Sequence, residues 1–172
     1  LDDRTVRFHL RENAVWHNGD PFTAADVAYS LERMTNPELN ATVYWGAIVR
    51  QLESWSVDDD YTITMTWKQP NAAGLLDIGR QQIVPQAYLE EVGNQRFFEA
   101  PVGTGPYRLQ EWVRGEQVVL ERNPDFWGEA PAIDRLVFRA VPDASTRVAE
   151  LLAGEADIIT GVSAELVPLV ES

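Results

Sequence analysis

Hydrophobic and polar residues follow two different periods in the first part of the chain. Apolar residues alternate with polar ones over residues 6–10, and this period of two predicts a half-buried strand. Residues 18–21 (Asn-Gly-Asp-Pro) predict a turn, because Asn-Gly tolerates positive φ and proline fixes the exit. Thr23 stands three residues before Asp26, a spacing typical of a capping box. A helix is therefore expected from Thr23, with apolar residues at helical spacing, up to Pro37.

The same patterns predict the later elements. They are a helix within 40–53, a strand at 62–67, a loop or short helix at 71–79, a helix near 86–92, a hairpin of strands 107–112 and 117–122, and a strand at 136–141. Asp143 is expected to cap a helix that Gly154 closes, and 157–159 to form a short buried strand. That last strand–helix–strand unit suggests a parallel pair with a right-handed crossover.

The order of elements predicts a fold that mixes helices and strands. We assign it to the α/β class, locally α+β, with a mixed sheet and flanking helices. The sheet of the first 130 residues is expected to be antiparallel or mixed.

Composition narrows the possible functions. The chain has 172 residues, enough for one domain or one and a half with a core of its own. Its net charge of −13 argues against nucleic acid as a partner, since phosphates would be repelled over most of the surface. There are no cysteines, which excludes disulfides, thiol catalysis and thiolate metal sites. No apolar run is long enough to span a membrane, and the N-terminus does not have the pattern of a signal peptide.

Candidate chemical motifs have simpler structural interpretations. Gly103-Thr104-Gly105 could let backbone amides approach a phosphate, but the P-loop lysine is missing. Positive φ at these glycines, shaping a loop that Pro106 then fixes, is the favoured interpretation. His9 and His17 have no metal-site spacing, so neither a metal nor a cofactor is expected.

The acidic residues do not predict catalysis. Asp58–Asp60 is expected to be a solvated turn, and the pair Glu90-Glu91 has no partner carboxyl that the sequence places across a cleft. No Gly-x-Ser-x-Gly motif occurs either. We therefore expect no enzyme activity and no catalytic residue.

Four segments, taken together, resemble one family in the order of their residues. They are FHLRENAVWHNGDPFTAADV at 8–27, VGTGPY at 102–107 followed by Glu111-Trp112, GEQVVLERNPDFWG at 115–128, and VFRAVPDASTR with LLAGEADI between 137 and 158. The chain resembles the family 5 extracellular solute-binding proteins, the peptide- and nickel-binding receptors of bacterial ABC importers.

This resemblance implies a fold and a function. Members are two-lobed clamps of the type II periplasmic-binding-protein kind, which close on a solute and deliver it to a membrane permease. By this comparison residues 1–130 form the family's extra subdomain, residues 131–172 begin the core of the first lobe, and the second lobe is absent. The implied location is the periplasm or the cell exterior, with a lipid anchor as one form. A peptide is the expected solute, although a nickel chelate, sugar or opine fits the same motifs.

The resemblance also points to ligand-binding positions. Tyr44 and Trp45 correspond to a cleft-facing position in relatives, and Arg80 and Gln81 belong to a loop that brings polar side chains toward the solute. An exposed surface arginine is the structural alternative for Arg80. Trp16, Trp67 and Trp127 are instead expected in the core.

Two rival functions remain open at this point. A regulatory or interaction module could reuse the subdomain without transport, and a genome neighbourhood without permease genes would favour it. A hydrolase would need two converging buried acids. The isolated chain is also expected to self-associate through exposed apolar surface and strand edges.

Overall fold

The computed structural model describes residues 2–36 and 43–171, with the backbone alone described at 43–45. Two compact units can be distinguished by contacts between Cα atoms. The first unit comprises Leu1–Leu109 and Arg122–Asp134, and the second comprises Gln110–Glu121 and Arg135–Ser172. Each unit is described separately below.

The first unit contains an antiparallel sheet whose central strand is the most apolar. Strands β1 (Thr5–His9), β2 (Leu52–Asp59) and β3 (Thr62–Trp67) are arranged in the order β1-β3-β2. Ile63 of β3 lies opposite Phe8 of β1, and Met65 lies opposite Trp55 of β2. Because side chains alternate between the two faces of a strand, Ile63, Met65 and Trp67 all project from one face of β3.

The helices of the first unit are amphipathic segments and short connectors. They are α1 (Ala24–Thr35), α2 (Val43–Val49), α3 (Gly74–Ile78) and α4 (Gln86–Glu99). The predicted start of α1 is confirmed: the Thr23 N–H donates to the Asp26 carboxylate at 2.9 Å. Gly93, with φ of 74°, interrupts α4.

The core of the first unit lies between these helices and one face of the sheet. Its buried members are Ala24, Val27, Leu31, Val49, Leu52, Ile63, Met65 and Trp67. Full burial of each large aliphatic side chain contributes about 1.5–3 kcal/mol, so this cluster is the principal source of stability in the unit. The predicted core role of Trp16 and Trp67 is confirmed, since both are buried.

A second three-stranded sheet has the order β4-β5-β6, formed by β4 (Tyr107–Val113), β5 (Gln117–Arg122) and β6 (Arg135–Arg139). The predicted hairpin between β4 and β5 is present, and Gly115 supplies its positive φ of 78°. β6 pairs antiparallel with β5, with Val119 opposite Val137.

In the second unit, α5 (Ala144–Leu152) follows β6, and a 3₁₀ turn (Ala164–Leu166) leads into α6 (Val167–Val170). Asp143 caps α5 as predicted, because its carboxylate accepts the Thr146 N–H at 2.7 Å. Gly154 follows the helix with φ of 74°, in agreement with the expected closing glycine.

Arg147 connects two loops of the second unit through backbone carbonyls. Its Nη1 donates to the carbonyls of Val141 and Pro142 at 2.7 and 2.8 Å. Its Nε donates to Thr160 and its Nη2 to Gly161, each at 3.0 Å. The planar guanidinium can serve all four acceptors because its donors point in several fixed directions.

The helix predicted near 86–92 is confirmed, since Gly93 separates it from a further helical segment that runs to Glu99. Three other predictions about local structure are wrong. Leu52 begins β2 and is not helical, so the helix predicted within 40–53 is shorter, and residues 40–42 lie outside the described residues. Residues 157–159 form no strand, and the side chain of Ile158 is 84% exposed. Within the described ranges β6 pairs antiparallel with β5, so the proposed parallel pair is not found.

Two further expectations about single residues are also corrected. Asp58, Asp59 and Asp60 are exposed to solvent as expected, but only Asp60 lies in the turn, since Asp58 and Asp59 end β2. Asp58 accepts the Thr64 hydroxyl at 2.6 Å and faces Arg7 at 3.2 Å. Trp127 is not a core residue: it is 36% exposed, and the Arg11 guanidinium stacks 3.5 Å from its ring centroid.

Candidate functional site

The backbone of α2 carries two of the residues that the resemblance singled out. Tyr44 and Trp45 lie in the first half of α2, and the positions of their side chains are outside the described residues. A Cβ on Gly46 would lie 2.7 Å from the Met34 carbonyl oxygen, so only glycine permits this approach of α2 to the end of α1. Val49, one turn further on, is buried in the core and fixes the opposite end of the helix.

The other two candidate residues follow α3. The Arg80 side chain is exposed, whereas Gln81 is half-buried. The Gln81 N–H donates to the Ile78 carbonyl and its side-chain Nε2 donates to the Asp77 carbonyl, each at 2.9 Å. These contacts hold the Gln81 amide against the C-terminus of α3.

Gln81 retains one unsatisfied polar atom. Its Oε1 is buried and has no hydrogen-bond partner among the described residues. Leaving a buried acceptor without a hydrogen bond costs about 1–3 kcal/mol of free energy. A ligand donor that bonded to this atom would recover that free energy and would therefore be preferred at the site. The sequence contained no signal for this feature beyond the residue type.

Packing brings the two candidate segments together. α3 contacts α2 within the first unit. A Cβ on Gly74 would lie 2.7 Å from Cε2 of Trp67, so α3 rests directly on the indole at the end of β3. Ile78, at the other end of α3, packs against the core. Residues far apart in sequence are thus held on one scaffold of helices.

The first unit also has two pockets on its surface. One of about 550 Å³ is lined by His9, Leu10, Glu12, Asp59, Asp60, Tyr61 and Thr62. Another of about 490 Å³ is lined by Trp16, Asp20, Pro21, Thr23, Ala25, Asp26, Pro85, Gln86, Ala87 and Glu90. Both are acidic and widely open, and neither includes Arg80 or Gln81.

Asp26 is a buried carboxylate whose importance the sequence only partly indicated. Its Oδ2 accepts the Trp16 indole N–H at 3.2 Å as well as the Thr23 N–H, and its Oδ1 accepts the Gln86 N–H at 2.9 Å. One turn later, the Ser30 hydroxyl accepts the Val84 N–H at 2.9 Å. This face of α1 therefore fixes both the turn before it and the start of α4. The capping spacing predicted only the bond to Thr23.

The Gly-Thr-Gly-Pro loop has a conformation different from the expected one. Gly103 and Gly105 are not among the glycines with positive φ, so that part of the prediction is wrong. The loop is shaped by hydrogen bonds from its neighbours instead. The buried Asn123 donates its Nδ2 to the Gly105 carbonyl at 3.0 Å, and its N–H to the Pro106 carbonyl at 2.8 Å.

Residues 2–36 and 43–171 contain no group of three or more His, Cys, Asp or Glu side chains placed to hold a metal ion. His9 lies exposed on β1. No helix in the described part of the chain combines the length and apolar character needed to cross a bilayer.

Comparison with known proteins gives a consistent picture. The model of the bacterial extracellular solute-binding proteins, family 5 (Middle), matches residues 1–172. A putative ABC transporter peptide-binding protein of Brucella ovis is 28% identical over 160 residues, covering 90% of this chain and 30% of the relative.

Solved structures agree with this match. NikZ of Campylobacter jejuni, in complex with Ni(L-His), superposes with a TM-score of 0.86 and 26% identity, over 99% of this chain and 34% of that chain. The periplasmic binding protein DppA of Helicobacter pylori, in complex with the peptide STSA, gives a TM-score of 0.85 and 28% identity, over 99% and 37%.

The chain spans about a third of the length of these relatives. Its mixture of helices and sheets is that of part of a type II periplasmic binding protein, as the sequence predicted. The four motifs, the fold and the match over the whole sequence lead to one assignment: the chain belongs to the bacterial extracellular solute-binding proteins of family 5.

Proposed function

We propose that this chain is part of the solute-binding receptor of a bacterial ABC importer, and that the receptor's solute is a peptide. The observation that carries the proposal is the family match over residues 1–172. It is supported by the peptide bound to DppA, the structural relative from H. pylori. Such a receptor performs no chemistry. It works by differential affinity, because a ligand that binds the closed form better shifts the population toward the form that the permease recognises.

The proposal includes a location and a division of the chain. The receptor acts in the periplasm or outside the cell, either free or lipid-anchored. Residues 1–130 contribute an extra subdomain beside the first lobe, and residues 131–172 begin the core of that lobe. The remaining solute contacts come from parts of the receptor beyond this chain.

Within this chain, Tyr44, Trp45, Arg80 and Gln81 are the proposed solute contacts. The packing of α3 against α2 supports this grouping. The exposed Arg80 guanidinium can form a two-point contact with a peptide carboxylate. Because Gln81 Oε1 is buried in this structure, it accepts an amide N–H of a peptide backbone only when the Gln81 side chain turns outward.

The experiment is a thermal-shift screen of a full-length receptor containing this chain against peptides, sugars and metal chelates. A peptide that raises the Tm in a concentration-dependent way is the expected result, because a ligand of the folded state stabilises it by mass action. Stabilisation by sugars or chelates alone would contradict peptide as the solute. Failure of every class would contradict the receptor function.

The site is tested in the same receptor by substitution. We expect Arg80→Ala and Gln81→Ala each to weaken peptide binding by about tenfold, the effect of losing about 1.4 kcal/mol. The matched controls are Arg96→Ala on α4, whose side chain is 63% exposed, and Gln82→Ala, an exposed neighbour. Equal affinities in all four variants would remove Arg80 and Gln81 from the site.

The isolated chain is proposed to self-associate. Large apolar side chains of the second unit are exposed, among them Phe138 at 57% and Ile158 at 84%. Exposed apolar surface of this kind commonly drives association. Sedimentation velocity should show a dimer or larger species that Phe138→Ser reduces, whereas Val57→Ser in the first unit should not. A monomer at all concentrations would contradict this proposal.

A further inference from the structure

The imidazole of His17 lies between two glycines of the loop at 101–106. The His17 backbone N–H donates to the Gly103 carbonyl at 2.8 Å. In return, the Gly103 N–H donates to the ring Nδ1 at 3.2 Å. The other ring nitrogen, Nε2, lies 3.1 Å from the Gly105 carbonyl oxygen. We call this set of contacts, formed by His17, Gly103 and Gly105, the His17 latch.

The partners of the ring define its protonation state. A backbone N–H can only donate, so Nδ1 must be an unprotonated acceptor toward Gly103. A carbonyl can only accept, so Nε2 must carry the proton that faces Gly105. The neutral tautomer with the proton on Nε2 therefore satisfies both contacts. A doubly protonated ring would point a second N–H at the Gly103 N–H and would lose that bond.

The surroundings favour the neutral ring as well. Burial lowers the pKa of His17, the hydrogen bond to the Gly105 carbonyl opposes this shift, and the nearby positive charge of Arg108 reinforces it. Asp20, the acidic residue of the same turn, accepts a hydrogen bond from Asn18 Nδ2 at 2.7 Å. Asn123, which also contacts the loop, is uncharged.

We propose that the His17 latch is a pH-sensitive device in which the imidazole binds the Gly103 N–H in neutral conditions and releases it when the ring takes up a second proton, while the backbone bond from the His17 N–H to the Gly103 carbonyl remains. The release is confined to one end of the loop. The Gly105 and Pro106 carbonyls keep their hydrogen bonds from Asn123, which does not titrate. Neither the device nor its test depends on the proposed solute receptor function.

The sign of the pH dependence follows from proton linkage. The released form binds a proton with the ordinary affinity of histidine, whose pKa is about 6.5, whereas the closed form binds it more weakly. Between the two pKa values, each fall of one pH unit makes release up to about tenfold more favourable. The change stops below the pKa of the closed form.

Amide hydrogen exchange of this chain, followed by NMR between pH 7.5 and 5, tests the proposal. The protection factor of the Gly103 amide should fall by up to about tenfold per pH unit below about 6.5. The Asn123 amide, bonded to the Pro106 carbonyl, should keep its protection over the same range. Equal behaviour of the two amides would overturn the latch.

Two substitutions sharpen the test. His17→Asn can place its Oδ1 where Nδ1 accepts the Gly103 N–H, and it does not titrate, so its Gly103 protection should be independent of pH. His9→Asn, on the exposed face of β1, should behave as the native chain does. A pH step at Gly103 that survives in His17→Asn, or disappears in His9→Asn, would contradict the assignment to His17.

A direct measurement on the unaltered chain covers the case in which His17→Asn does not fold. The ¹⁵N chemical shifts of the ring should identify Nε2 as the protonated nitrogen at pH 7.5, with a titration midpoint below 6.5. Protonated Nδ1 at pH 7.5, or a midpoint at or above that value, would overturn the proposal.

Discussion

The Trp16 indole donates its N–H to the buried carboxylate of Asp26 at 3.2 Å. The same carboxylate receives backbone N–H groups of Thr23 and Gln86. A single acidic side chain thus joins the turn after β1, the start of α1 and the start of α4. Since the three groups only donate, a carboxylate with two acceptor oxygens is well suited to them.

Asp26→Asn should therefore destabilise the first unit, although the asparagine side chain has nearly the same shape as the aspartate it replaces. Whichever way the amide is turned, its NH₂ group faces at least one donor, and that donor loses its partner. The expected loss is about 1–3 kcal/mol in the free energy of unfolding, measured by urea denaturation. Asp20→Asn, at an exposed position in the preceding turn, is the matched control and should change stability little. Equal stability of the two variants would contradict this role of Asp26.

Gly46→Ala should displace α2. The added Cβ would lie 2.7 Å from the Met34 carbonyl oxygen, a distance that requires the backbone to shift. Strain of this kind typically costs about 1–3 kcal/mol. Gly105→Ala is the control, because its Cβ would meet its nearest atom at 4.0 Å. Chemical denaturation of both variants decides: a Gly46→Ala chain as stable as Gly105→Ala would show that α2 tolerates the side chain.

Arg147→Lys should loosen the loop that precedes the 3₁₀ turn of the second unit. The guanidinium serves carbonyls of Val141, Pro142, Thr160 and Gly161, and a lysine ammonium cannot reproduce this fork. We expect amide exchange around 160–161 to accelerate by about tenfold or more, equivalent to about 1.4 kcal/mol of local stability. Arg135→Lys on β6, whose side chain is exposed, should leave these rates unchanged. If amide exchange around 160–161 is unchanged in Arg147→Lys, a lysine ammonium holds this loop as well as the guanidinium does.

Asp143→Asn should alter the acid sensitivity of the chain. Hydrogen bonds from the Thr146 N–H and hydroxyl lower the pKa of Asp143 below its ordinary value of 3.8. A depressed pKa contributes stability that is present above the unfolded value and is lost as the pH falls through the folded value. Asparagine caps helices equally well but does not titrate, so the variant should lose less stability between pH 5 and about 2. Parallel Tm curves for the two chains over that range would refute this contribution.

Local features were predictable because the residues that determine them are close in sequence. Thr23 and Asp26 lie three residues apart and specify the start of α1 by themselves. Gly115 determines the hairpin turn by itself, because glycine adopts the positive φ of this turn without contacts from residues distant in sequence. Asp143 and Gly154 mark the two ends of α5 in the same way.

Long-range features were not predictable from the pattern. The bonds from Gln86 to Asp26 and from Gly103 to His17 join residues 60 and 86 positions apart. The sequence pattern does not predict β2, because Leu52 continues the apolar spacing of α2 and only pairing with β3 shows this segment to be a strand. Ile158 belongs to a short apolar run, which predicts burial, yet its side chain is exposed. The roles of Tyr44, Trp45, Arg80 and Gln81 follow from the resemblance alone and stay predictions.

We infer that this chain supplies part of a solute site that needs the rest of the receptor. Isothermal titration calorimetry with a tetrapeptide should distinguish the 172-residue chain from a full-length receptor that contains it. We expect micromolar or tighter binding by the receptor, about −8 kcal/mol or better, and no measurable heat from the chain alone. Micromolar binding by the isolated chain would contradict this inference.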